Sequence, residues 1–247
     1  EVRASDSRKF VEAGRESAAE STPQEGAIRP LGLLPGGKTA LILRREAGQY
    51  DRGALIEYDL ATGQPVAVRF VAPSGEINDV VIDTNGELVG VQYEDSHPRY
   101  HWFSPKWAKL HASLSATFPG EFVEFGSRDR KETRFIIIVR SDRNPGAYYL
   151  YDAEKTTLTP LGKIKPQIDP AQMAPRRPFV YTTRDGLKVH GYLTIPVGRE
   201  KQPNPLIQLP HGGPFGIRDG WLFDREAQFL ANRGYTVMQV KDRKSVV

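Results

Sequence analysis

The run Leu206-Ile207-Gln208-Leu209-Pro210-His211-Gly212-Gly213-Pro214 carries a short apolar segment into a pair of adjacent glycines. An apolar stretch of this length, bounded by proline and glycine, reads as a strand. Two glycines in succession let the backbone turn sharply with its N–H groups uncovered. Downstream, Phe223, Ala227 and Leu230 fall on one helical stripe that Phe229 widens, and Gly234 stands where a left-handed C-cap is expected. Residues 235–240 are largely apolar, as in a strand buried on both faces. Strand, loop, helix and strand together predict a βαβ unit. Within it, Phe229 is expected to be a buried anchor whose replacement by alanine costs about 3–5 kcal/mol.

Working back toward the N-terminus, 179–182 and 189–195 read as strands on either side of the turn Arg184-Asp185-Gly186. Before them, Pro166, Pro170, Pro175 and Pro178 mark 166–178 as a linker and place a domain boundary there.

Residues 1–165 follow another rhythm. The turn Pro35-Gly36-Gly37-Lys38 feeds the apolar run 39–43, Thr84-Asn85-Gly86-Glu87 feeds 88–93, and the turn at 128–131 feeds 134–139. Gly37 and Gly86 stand 49 residues apart, and Gly86 and Lys131 stand 45 apart. A second marker, Ile56-Glu57-Tyr58-Asp59 and Tyr149-Leu150-Tyr151-Asp152, recurs after 93 residues, two periods of the first. Units of about 40–50 residues with about four strands each have the length of β-propeller blades. Three to four blades, a partial β-propeller, are expected here rather than an all-β sandwich. One helix interrupts them: Trp107, Leu110, Leu114 and Phe118 keep helical spacing after Ser104-Pro105 and stop at Pro119-Gly120.

Acyl transfer needs N–H donors where charge develops on the carbonyl oxygen, and a His-Gly-Gly loop between strand and helix supplies one such donor in α/β-hydrolases. The motif does not stand alone. Tyr181-Thr182-Thr183-Arg184-Asp185-Gly186, then Gly191-Tyr192-Leu193-Thr194-Ile195-Pro196, then His211 to Pro214, then Gln228-Phe229-Leu230-Ala231-Asn232-Arg233-Gly234-Tyr235 follow in order. This series resembles the start of the catalytic domain in acylaminoacyl and dipeptidyl peptidases of the prolyl oligopeptidase family (S9). That family joins a β-propeller to an α/β-hydrolase domain. The resemblance implies a serine peptidase acting on short peptides through an acyl-enzyme. It also implies an oxyanion loop formed by His211, Gly212, Gly213 and Pro214, in which the Gly213 N–H is the donor, His211 shapes the loop and Pro214 stiffens its exit. By the same resemblance 1–165 is part of the propeller, 179–240 starts the hydrolase domain, and 241–247, which departs from the family's pattern, is expected to be a non-native tail.

No G-x-S-x-G elbow occurs in the 247 residues, and Ser245 is the sole serine after the loop. Hydrolases of this fold place nucleophile, acid and histidine in that order, so His211 precedes all three. The chain is therefore expected to be an inactive piece of a longer enzyme lacking nucleophile, acid and base. An esterase of the same fold and a non-catalytic propeller binding module are the alternatives. Glu1 is not expected to be the native start.

His97, His101 and His111, near Glu94 and Asp95, lack the spacing of a tetrahedral set, so neither metal nor cofactor is expected. The aromatic cluster Tyr100-His101-Trp102-Phe103 reads as blade core, and Glu94, Asp95, Arg99 and Arg143 as solvated charges. The net charge is +4 with scattered cations, so no nucleic-acid partner is expected, and runs such as 135–139 are too short to insert in a membrane. Without cysteine, disulfides are excluded and the compartment stays open.

Overall fold

Each turn of the repeat closes a hairpin, and aspartate closes most of them. A computed structural model describes residues 2–3, 10–11, 28–46, 50–212 and 219–240. Strands β1 (Val2–Arg3) and β2 (Phe10–Val11) form a short antiparallel pair. Three antiparallel meanders follow. The first contains β3 (Ile28–Leu33), β4 (Thr39–Glu46), β5 (Tyr50–Asp59) and β6 (Pro65–Val71). The second contains β7 (Glu76–Ile82), β8 (Leu88–Glu94) and β9 (Pro98–Trp102). After β9 the chain enters helix α1 (Pro105–Thr117), where the other meanders have a fourth strand. The third contains β10 (Phe122–Arg128), β11 (Arg134–Arg140), β12 (Ala147–Asp152) and β13 (Thr157–Lys163).

The first sequence marker therefore falls on the second strand of each meander, β4, β8 and β11. The second falls on the third strand, β5 and β12. Their turns share one chemistry. Asp83 accepts from the amides of Asn85 and Glu87, both at 2.9 Å, and Asp129 from those of Thr133 and Arg134 at 2.8 and 3.0 Å. Asp59 accepts from Ala61 and Thr62, and Asp152 from Lys155. Such Asx turns satisfy amides that the sheet leaves over. Amide bonds hold two of these carboxyls below the usual range, Asp59 chiefly through Thr62 and Asp129 chiefly through Arg134.

The chain divides into two compact units between Ala108 and Lys109, inside α1. In the first unit, buried Leu41, Leu55, Ala72, Ile77, Leu88 and Val91 form one core, with Phe70 and Tyr93 packed against it. Along β9, Trp102 stacks between Tyr100 and Trp107 with ring centroids 4.7 and 5.6 Å away, while His101 lies against Phe70 and Phe103. Tyr100 and Trp102 are half-buried but His101 and Phe103 are exposed, so the blade-core expectation holds only for the side of the cluster that packs on Trp107.

The second unit holds the third meander and a mixed sheet. That sheet contains β14 (Arg176–Thr182), β15 (Lys188–Thr194), β16 (Leu206–Gln208) and β17 (Thr236–Val240), in the order β14-β15-β17-β16. Only β16 and β17 run parallel, joined through helix α2 (Arg225–Ala231), as the βαβ reading requires. Within 166–178 the chain makes a single 3-10 turn, Pro170–Gln172, and is already in β14 by Arg176. Buried Ala174 is bonded there to Gln228, 54 residues away, so much of the expected linker is anchored chain.

One expectation fails at α2. Phe229 is 54% exposed, and the face turned inward carries Ala227, Gln228 and Ala231. A stripe of two alanines lets the helix approach closely, and the buried Gln228 is tolerated because its amide is fully bonded: Ala174 N donates to it, and it donates to the carbonyls of Asp142 and Ala174.

Candidate active-site loop

Strand β16 ends at Gln208, and the Leu209 amide donates to the Met238 carbonyl on β17 at 2.9 Å. Pro210, His211 and Gly212 then leave the sheet at the C-terminal end of the parallel pair. In open α/β sheets, the carboxyl ends of the strands are where ligands bind. His211 Nδ1 donates to the Gly212 carbonyl at 3.3 Å, a contact that fixes the ring over its own turn. Apart from its chain neighbours, no described atom lies within 4 Å of the position a Gly212 Cβ would take.

The chain is described again from Asp219, and its path to α2 is held at several points. Gln239 Nε2 donates to Asp219 Oδ1 at 2.8 Å and to Asp224 Oδ2 at 3.2 Å. Asp224 also caps α2, accepting from the Ala227 amide at 2.8 Å. The Phe223 amide donates to Ser141 O at 2.9 Å. Buried Arg176, at the start of β14, reaches Leu222 O at 3.1 Å and Gln239 Oε1 at 2.7 Å, and its guanidinium lies 4.8 Å from the Tyr192 ring centroid. Its own amide donates to Asp142 at 2.7 Å.

A groove of 320 Å3 opens beside Leu209, lined also by Arg225, Glu226, Phe229 and Leu230. It explains why Phe229 is exposed: its ring borders the groove and lies under the Arg233 guanidinium, 3.5 Å from the centroid.

No family model matches the chain. A dipeptidyl aminopeptidase BIII from Pseudoxanthomonas mexicana is 29% identical over 223 residues, covering 87% of this chain and 32% of that protein. A post-proline cleaving enzyme from Rickettsia typhi superposes with a TM-score of 0.59 at 13% identity, over 88% of this chain and 33% of that one. The Pyrococcus horikoshii acylaminoacyl peptidase gives 0.53 at 19% identity, over 87% and 32%. The chain is similar to peptidases of the prolyl oligopeptidase family. It spans about a third of the length of the proteins it matches.

His211 and Gly212 are placed as described above, whereas Gly213, Pro214 and the tail 241–247 lie outside the described residues. His97, His101 and His111 have separate surroundings. His111 Nε2 donates to the Val123 carbonyl at 3.2 Å, His101 sits among aromatics, and His97 follows the turn built on Asp95. Among the described residues, no group of three or more histidine and carboxylate side chains is gathered for a metal. Asp95 is partly buried, which opposes its charge, but the His97 amide and Arg99 outweigh that and hold its carboxyl below the usual range.

Sequence reasoning passed over Arg176, Gln239 and Asp219, the polar groups bonded around the stem of the loop. One signal was available: Gln239 interrupts an otherwise apolar strand, and a buried amide there requires partners.

Proposed function

We propose that this chain is part of a serine peptidase that cuts short peptides through an acyl-enzyme. In this reading the three meanders belong to a β-propeller, 179–240 begins an α/β-hydrolase domain, and His211, Gly212, Gly213 and Pro214 form its oxyanion loop. The observation that supports it is the parallel β16–α2–β17 unit, with His211 and Gly212 following the carboxyl end of β16. The relatives' names support the substrate class, since they describe dipeptidyl, acylaminoacyl and post-proline peptide cleavage. The Gly213 N–H donates to the developing oxyanion, while a serine, a carboxylate and a histidine outside these 247 residues carry out attack and proton transfer. The 247-residue chain alone is inactive, because it holds no G-x-S-x-G elbow.

The test is to assay the longer gene product containing this segment, beside the 247-residue chain, on chromogenic dipeptides and on p-nitrophenyl esters. We expect peptide turnover by the longer protein only, and a kcat loss of about 100- to 1,000-fold in Gly213→Pro, which removes one oxyanion donor. Ester turnover without peptide cleavage identifies an esterase instead. Activity indifferent to Gly213 overturns the role of the loop.

A further inference from the structure

We infer that Arg176, Gln239 and Asp219 are positioning residues that hold the far stem of the His211 loop, so that this loop is clamped at both ends by neighbouring residues of β17. The inference rests on the oxyanion reading of that loop.

The near end is fixed by Met238, whose carbonyl accepts from the Leu209 amide. The far end is fixed by the next residue, Gln239, whose side-chain amide donates to Asp219 at 2.8 Å. One strand therefore sets both boundaries of residues 210–218. The clamp is buried: the side chain of Arg176 is 3% exposed and that of Asp219 is 8% exposed. A cation at such depth persists only with close partners. Yet the Arg176 guanidinium stands 3.9 Å from Asp219 and 3.8 Å from Asp224, beyond hydrogen-bond length. Gln239 closes the gap. Its oxygen accepts from Arg176 at 2.7 Å, and its nitrogen donates to both carboxylates, so each end of the amide meets charge of the opposite sign. A leucine there would make neither contact, and a glutamate would satisfy Arg176 while repelling both carboxylates. Arg176 adds a separate hold on the stem through Leu222 O at 3.1 Å. Asp224 caps α2 through its other oxygen, so losing the Asp219 contact frees the stem without uncapping the helix.

The arrangement has a catalytic consequence because a backbone donor must sit where the oxyanion forms, and a misplacement of about 1 Å costs up to about 100-fold. We would compare Asp219→Ala, Asp219→Asn and Gln239→Glu in two measurements. In the full 247-residue chain, amide hydrogen exchange is followed in peptides covering 209–218. In the longer gene product, kcat and KM are measured on the peptide substrate. Asp219→Ala and Gln239→Glu should speed exchange across 209–218 about tenfold, with peptides from β10 to β12 unchanged. They should also lower kcat by about 10- to 100-fold, with KM within about twofold. Asp219→Asn keeps an acceptor for Gln239 and should remain near wild type in both. Gln239→Glu keeps the comparison intact if Asp219→Ala misfolds.

Unchanged exchange in the impaired variants, or an Asp219→Asn variant as impaired as Asp219→Ala, overturns the inference. If the wild-type longer protein cuts no peptide, the peptidase reading fails while exchange still judges the clamp. If it cuts peptides in a Gly213-dependent way but exchange ignores these variants, the clamp fails alone.

Discussion

Phe229 and Gln228 are neighbours on α2 whose environments invert their usual preferences. The phenyl ring is half in solvent beside the groove at Leu209, covered on one face by Arg233, whereas the amide of Gln228 is buried with three bonds to main-chain groups of Asp142 and Ala174. A cation over an exposed ring contributes about 0.5–1 kcal/mol, and little apolar area is lost to water when the ring is removed. Phe229→Ala should therefore lower unfolding free energy in urea by less than about 1 kcal/mol, against the 3–5 kcal/mol that its stripe position suggested. Ala227→Leu should cost more, about 1–3 kcal/mol, because Ala227 is 1% exposed and has no room for extra methylenes. A larger loss for Phe229→Ala than for Ala227→Leu would show that the ring is buried in solution. Helical spacing marks which positions share a face, but a face built from small residues and a bonded glutamine does not stand out by hydrophobicity.

At the scale of elements, Gly191 shows how closely β15 must approach its neighbours. A Cβ placed there would lie 2.6 Å from the Gln239 carbonyl and 2.7 Å from the Phe179 ring, so a side chain would push β17 or the ring away. Gly191→Ala should destabilise the second unit by about 1–3 kcal/mol and speed amide exchange along β15 and β17, leaving β10 to β12 unaffected. A variant with native exchange along β17 would show that the sheet accommodates the methyl group. The meanders were readable because their punctuation is local: each repeated turn is a carboxylate or glycine closing its own hairpin, as at Asp83, Asp129 and Gly86, and such chemistry leaves its mark within a few residues. The α1 interruption was readable for the same reason, from Trp107 and Leu114 one face apart. The frame of the His211 loop was not. Arg176 meets Asp142, the Leu222 carbonyl and Gln239 across 34, 46 and 63 residues, and apart from the position of Gln239 in its strand nothing nearby in sequence announces these pairings. The loop was thus legible as a motif, while the support of its flanks depends on pairings that only the fold brings together.

At the scale of the whole molecule, pH acts on the second of the two compact units through a histidine. His111 lies in the half of α1 that belongs with β10 to β13. Its Nε2–H donates to the Val123 carbonyl, with Ser115 Oγ 3.4 Å from the same nitrogen and the Phe125 ring 5.9 Å from its own. Burial disfavours the charged ring more than the Val123 bond favours it, so the folded-state pKa falls below the usual 6.5. The sign follows directly. Above the unfolded value both states hold a neutral ring and the unit keeps its full stability. As pH falls below about 6.5, the unfolded chain takes up a proton that the folded unit resists, and stability declines until the folded pKa is passed. Urea unfolding of the second unit, followed through exchange in β10 to β13, should hold a plateau above about pH 7 and weaken progressively toward about pH 5.5. In His111→Gln, which can still donate to Val123 but cannot ionise, the profile should flatten across that interval even if the plateau is lower. A variant whose midpoint fell in parallel with wild type would show that His111 is not the source of the acid sensitivity between about pH 7 and 5.5; Asp129 is not a substitute source there, because its lowered pKa places its own loss of stability below the ordinary aspartate value of 3.8.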